Sequence, residues 1–107
     1  MNVSRMGTIS MQVDLDNGIA AVELRMLHPM LAGHVQQDSG TGATVHFIQL
    51  VQARHNGRQV MEAQWSTSVA RDPRLVFYVA GVVPGDTISV EWHDNKGQSG
   101  HHAITVT

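Results

Sequence analysis

Apolar and polar residues alternate one for one along most of this chain, and that regularity confines it to β-structure. Ile9, Met11, Val13 and Leu15 interleave with Thr8, Ser10, Gln12 and Asp14. Successive side chains on a strand point to opposite faces, so the pattern specifies a strand with one dry face and one wet one. Ala20, Val22, Leu24 and Met26 line the dry face of a second strand, with Glu23 and Arg25 outward. Met61, Ala63 and Trp65 do so on a fourth strand, Leu75, Phe77 and Val79 on a fifth, and Ile88, Val90 and Trp92 on a sixth. His102, Ile104 and Val106 close a seventh. The third strand is expected from Val45 to His55, and there the alternation slips, with Ile48 and Leu50 pointing one way and Val51 and Ala53 the other. A β-bulge near Gln49 or Leu50 accounts for the slip.

Turn residues punctuate these runs. Asn17-Gly18 and Asn56-Gly57 are the residue pairs that tolerate the two positive φ angles of a tight hairpin turn. Pro29 ends the second strand, because proline donates nothing to a ladder and restricts His28 before it. Pro84-Gly85-Asp86 and Asp94-Asn95-Lys96-Gly97 supply the later turns. Between the second and third strands, 29-PMLAGHVQQDSGTGA-43 has no period. It is either a functional loop or a decoration of the scaffold. Seven short strands with turns between them predict an all-β fold, an immunoglobulin-like antiparallel β-sandwich of about seven strands, in one domain over residues 1–107.

Composition narrows the chemistry. The chain has no cysteine, so a thiol nucleophile or thiolate ligand of its own is excluded. No basic run interleaved with aromatics suggests nucleic acid as a partner, and no apolar run reaches the roughly 20 residues of a membrane span. The first 13 residues lack an apolar core and a small-residue cleavage site, so no secretory signal is expected. Seven histidines accompany a net charge of −2, which makes the surface potential unusually responsive to acid.

Residues able to carry chemistry are present, but their spacing points to none. Six methionines and seven histidines suggest copper, which imidazole and thioether suit. However, no His-x-His, His-x-x-x-His or Met-x-x-Met cluster occurs, and Met11, Met26 and Met61 fall on dry faces where methionine is a filler. On a strand, His101 and His102 point to opposite faces. Ser66, Thr67 and Ser68 lack a nucleophile elbow. Asp94 reads as a turn aspartate beside the outward His93, and Glu23, Glu62 and Glu91 as solvated strand residues. Trp65 and Trp92 read as core anchors. No catalytic, cofactor-binding or metal-ligating residue is therefore assigned, and no enzyme activity is expected. The segment His28-Pro29-Met30 reads two ways, as a strand terminator or as the rim of a binding surface.

Four segments carry a family resemblance: 28-HPMLAG-33, 56-NGRQVMEA-63, 70-ARDPRLVFYV-79 and 90-VEWHDNKG-97. In this order and at this spacing they resemble the SoxZ family, the smaller subunit of the SoxYZ carrier of periplasmic thiosulfate oxidation. The resemblance covers roughly residues 8 to 107. It implies an immunoglobulin-like subunit that forms a heterodimer with SoxY, whose cysteine on a glycine-rich C-terminal arm bears the sulfur intermediates. It also implies transient contact with other sulfur-oxidation enzymes, and export to the periplasm together with the signal-bearing partner. A chain without cysteine agrees with the scaffold role. One departure is 34-HVQQDSGTGA-43, where many family members carry more lysines. The expected partner surface comprises Leu27, His28, Met30, Gly33, Val76 and Tyr78. Two readings stand beside this one, a periplasmic copper-binding sandwich and a general protein-interaction sandwich.

Overall fold

In a computed structural model, residues 8–30 and 45–107 are described. They contain seven strands: β1 (Ile9–Asp16), β2 (Ile19–Met26), β3 (Ile48–His55), β4 (Arg58–Gln64), β5 (Arg74–Ala80), β6 (Thr87–Asp94) and β7 (Ser99–Thr105). Two sheets form, with strand orders β1-β2-β5 and β4-β3-β6-β7, and every pairing is antiparallel. This is the all-β, immunoglobulin-like sandwich that the alternation predicts.

Its turns follow from the residues that make them. Asn17 and Gly18 have φ of 53° and 77°, and Asn56 and Gly57 have 51° and 85°. Two successive positive φ values give the turn twist that matches flanking strands. The Asn56 side chain also accepts from the Thr87 N–H at 2.8 Å, which ties this hairpin to β6.

The slip in β3 is present. Its pairing with β6 shifts between Ile48 and Leu50, and its pairing with β4 shifts between Ala53 and Arg54. The strand begins at Ile48 rather than at the expected Val45, because side-chain bonds replace the ladder there. Asn95 Oδ1 accepts from the Phe47 N–H at 2.8 Å, and Asn95 Nδ2 donates to the Val45 carbonyl at 2.8 Å.

Dry faces of the two sheets meet in one core. Ala20, Val22, Leu24 and Met26 of β2 lie opposite Val51 and Ala53 of β3 and Ile88, Val90 and Trp92 of β6, all of them buried. Burying a side chain of Leu, Ile, Val or Met size stabilises by roughly 1.5–3 kcal/mol, so this face holds the sheets together. Met61, Ala63 and Trp65 pack on the core but are only half-buried. Met61 and Ala63 sit on β4, the outer strand of its sheet, and Trp65 follows directly after it. Trp92 is 2% exposed and lies against Gly100 of β7, where any Cβ would overlap the indole. Gly100 is therefore fixed by close approach. Among the described residues the indole N–H of Trp92 is buried without a hydrogen-bond partner.

Candidate functional site

The same alternation that fills the core brings three polar side chains into it at one end of the sandwich. Asp94 continues the inward series Ile88, Val90 and Trp92. His28 continues Ala20 to Met26, and His46 precedes Ile48 by two. All three are buried: His28 is 1%, His46 9% and Asp94 4% exposed. Their sequence separation reaches 66 residues, so no spacing motif announces them.

Asp94 is the centre of the cluster. Its Oδ2 accepts from His28 Nε2 at 3.1 Å and from His46 Nε2 at 2.8 Å. Its Oδ1 accepts from the backbone N–H groups of Lys96 at 3.0 Å and Gln98 at 2.8 Å. Burial by itself raises the carboxyl pKa. The bonds from His28, the Gln98 N–H, His46 and the Lys96 N–H outweigh it and hold the group below the usual carboxylate range. Asp94 is a buried anion with four donors: Oδ1 caps the turn, as its sequence context leads one to expect, while Oδ2 reaches the two histidines, which that context does not show. The half-exposed His93 instead meets Glu91 at 3.4 Å.

Every polar atom of His28 is engaged. The Met30 N–H donates to Nδ1 at 3.1 Å. A backbone N–H only donates, so Nδ1 is the acceptor and Nε2 carries the proton given to Asp94. The His28 N–H donates to Asp72 Oδ1 at 3.0 Å, and its carbonyl accepts from the Asp72 N–H at 2.9 Å. Burial, ahead of the other influences, lowers the His28 pKa, in keeping with a neutral ring. The ring stands edge-on to His46, with centroids 4.5 Å apart, and to Trp92, at 5.6 Å. Met30 is held at a φ of 49°, a left-handed conformation costing roughly 1–2 kcal/mol for such a residue. Its N–H bond to His28 and the Ile48 N–H reaching its sulfur at 3.3 Å retain it there.

His28, His46 and Asp94 place three potential ligand atoms within 4.8 Å of one another. The hydrogen-bond pattern argues against metal ligation by this trio. A metal on His28 Nε2 needs the lone pair there, which would put the proton on Nδ1, against the Met30 N–H. Without His28, one imidazole and one carboxylate remain, short of the usual three or four protein ligands of a zinc site. Chemically the arrangement is a knot. It joins the residues just beyond β2, those ahead of β3 and β5, and the end of β6. His28 precedes and His46 follows the 31–44 segment, and both bond the same oxygen of Asp94.

The residues expected at a partner surface separate into three groups. His28 and Met30 are interior, 1% and 6% exposed, so in this chain they act through what they hold. Leu27 is half-buried, while Val76 and Tyr78 project from β5 at 42% and 71% exposure. Gly33 and the rest of the 31–44 segment lie outside the described residues. Val76 and Tyr78 share the outer face of the three-stranded sheet with Ile19, which is 47% exposed. Pairing brings Tyr78 beside Ala21 and Ile19 beside Ala80, which makes the apolar strip continuous.

Among the described residues, His28, His46 and Asp94 are the buried polar side chains of this sandwich. Comparison with known proteins gives the family. The model of the family described as "Sulphur oxidation protein SoxZ" matches residues 9–105. The chain belongs to the SoxZ family of sulfur-oxidation proteins. No curated protein matches it. Among solved structures, the hypothetical protein PH1083 from Pyrococcus horikoshii OT3 superposes with a TM-score of 0.71 at 13% identity, covering 96% of this chain and 90% of that one. A superoxide reductase in the oxidised state superposes with a TM-score of 0.66 at 10% identity, covering 97% and 90%. At these identities the likeness concerns the fold alone.

Both ends of the family resemblance are now in contact. His28 of the His-Pro-Met segment and Asp94 of the Trp-His-Asp segment are hydrogen-bonded, with Trp92 against the imidazole. Strand parity was the signal available in the sequence for this meeting.

Proposed function

We propose that this chain is the non-catalytic subunit of a two-chain sulfur carrier, binding and positioning a cysteine-bearing, SoxY-like partner during thiosulfate or sulfur oxidation. The observation that carries the reading is membership of a sulfur-oxidation family in a chain with no cysteine. Covalent carriage of sulfur as a persulfide or thiosulfonate needs a thiol, so the thiol must belong to another polypeptide. A rigid sandwich with a continuous apolar strip over Ile19, Ala21, Val76 and Tyr78 suits the remaining task, since interface centres are apolar and enriched in tyrosine. Leu27, Val76 and Tyr78 are the candidate contacts. The buried knot fixes the two feet of the 31–44 segment, and that segment, including Gly33, is the second candidate surface. In this reading the complex works in the periplasm, the chain travelling with its partner and meeting other sulfur-oxidation enzymes transiently.

Co-expression with the adjacently encoded protein tests the reading. The two chains should co-elute from gel filtration at micromolar concentration, and the partner should carry a cysteine that takes up sulfur. Separate elution refutes the proposal. A sulfur adduct on this chain itself, or turnover by it alone, also refutes it.

A further inference from the structure

Arg58 differs from the other arginines of the described residues. Arg25 and Arg74 bond Glu23, Arg54 bonds Glu91, and Arg71 bonds Asp72. Arg58, exposed at the first position of β4, has no carboxylate partner among the described residues. The acids bonded to its neighbours are engaged by other donors. Asp86 takes His55 Nε2 at 2.7 Å and the Val83 N–H at 3.0 Å. Glu62 takes the side-chain amides of Gln52, Gln59 and Gln64.

This arginine borders a cleft of about 320 Å³, within the roughly 300–1,000 Å³ of ligand pockets. His55, Gln59 and Val60 line it from the four-stranded sheet, and Tyr78 and Ala80 from the three-stranded one. β4 and β5 are outer strands of their sheets, so the cleft lies along an open side of the sandwich. β4 bulges at this point: Gln59 pairs with Arg54 and Met61 with Ala53, which leaves Val60 unpaired. No acid lines the cleft.

β5 contributes donors. The Met26 N–H bonds the Pro73 carbonyl, and backbone groups in an antiparallel ladder face a given neighbour at every second residue. Tyr78 and Ala80 therefore turn their N–H groups away from β2, the strand neighbour of β5 among the described residues. The hydroxyl of Tyr78 is a further donor, on a side chain that stands well out of the sheet.

We propose that this cleft binds a small tetrahedral oxyanion, with Arg58 as its counter-ion and the N–H groups of Tyr78 and Ala80 and the Tyr78 hydroxyl as supporting donors. The inference does not depend on the sulfur-carrier reading. A guanidinium presents its N–H groups in a planar fork that matches two oxygens of sulfate, thiosulfate or phosphate. Backbone N–H groups with no strand to bond add donors that need no counter-charge. Because the cation is exposed, the bound ion keeps part of its water and the charge pair is screened. The dissociation constant is accordingly on the order of 1 mM.

Amide NMR titration of the full chain, at pH 7 and constant ionic strength balanced with chloride, tests this. Sodium sulfate, thiosulfate and phosphate, each taken to about 20 mM, should move the signals of Arg58, Tyr78 and Ala80 along saturable curves. Arg58→Gln should weaken binding at least about five-fold, and Arg58→Lys by less, since it keeps the charge and loses the fork. Lys96, also without an ion pair among the described residues, is the control, and Lys96→Gln should leave the affinity unchanged. Arg58 and Lys96 are exposed, so these variants should melt within a few degrees of wild type. A several-fold preference for thiosulfate over phosphate identifies a sulfur ligand, and the reverse preference a phosphate one; either supports the site. Absence of saturation with all three ions overturns the proposal. Equal weakening by Arg58→Gln and Lys96→Gln, or saturable shifts confined to residues away from the cleft, overturns it as well.

Discussion

Replacing Asp94 by asparagine keeps the shape of the knot and reverses one of its hydrogen-bonding ends. Oδ2 faces the Nε2–H of His28 and of His46, while Oδ1 faces two backbone N–H groups. An amide supplies one acceptor and one donor end, so its NH₂ meets a locked donor in either orientation, the His28 Nε2–H on one side or the two backbone N–H groups on the other. His28 offers no relief by exchanging tautomers, because the Met30 N–H already occupies Nδ1. A buried donor left unmatched costs about 1–3 kcal/mol. With two affected, Asp94→Asn should destabilise by about 2–6 kcal/mol, a large share of the 5–15 kcal/mol typical of a domain. A drop in melting temperature of at least about 10 °C follows. Urea denaturation of the purified chain measures it, with His93→Gln as the control; that outward histidine should shift stability by less than about 0.5 kcal/mol. If Asp94→Asn costs less than about 1 kcal/mol, His28 is not locked in the tautomer assigned here and the argument against a metal on its Nε2 falls with it.

Further outcomes follow from the same structure. Gly100→Ala drives a methyl into the Trp92 indole and should cost about 1–3 kcal/mol, with a red-shifted tryptophan emission; unchanged stability and emission would contradict the packing. Burial lowers the His28 pKa from 6.5, so the unfolded chain takes up that proton first. Its contribution is complete above about pH 6.5 and diminishes as the pH falls through that value. His28→Gln, though less stable throughout, should lose less stability than wild type between pH 7.5 and 5.5, and an identical slope would refute the assignment. Asp86 is held at about 2, down from 3.8, by the Val83 N–H first and then by His55. Its contribution is present above pH 3.8 and disappears toward 2, so Asp86→Asn should flatten the acid limb of a stability profile in that range. Tyr78→Glu should weaken association with the co-expressed partner while leaving the melting temperature within a few degrees.

The strands were legible because one face of each is dry, and a period of two survives wherever that holds. Even the bulge at Ile48–Leu50 showed as a change of parity. The start of β3 was not legible, since Asn95 replaces the ladder at Val45 and Phe47 from 50 residues away in sequence. The knot was missed for a related reason. His28, His46 and Asp94 each lie two residues beyond an apolar series whose parity aims them inward, yet a polar residue at a strand end also suits a turn. Asp94 sits in a run, Asp-Asn-Lys-Gly, that is a good turn in its own right. Only tertiary structure shows that its second carboxylate oxygen, beyond capping that turn, reaches His28 and His46. The half-burial of Trp65 depends on β4 being an outer strand, which alternation within a strand does not encode.

That His28 and His46 share one carboxylate oxygen holds the chain just before residue 31 and just after residue 44 to a common anchor. Changes in the length or sequence of residues 31–44 need not propagate into the register of β2 or β3, because Asp94 secures both flanks. A lineage could lengthen, shorten or recharge the segment and keep the sandwich as it is, so divergence in partner choice has an inexpensive place to occur.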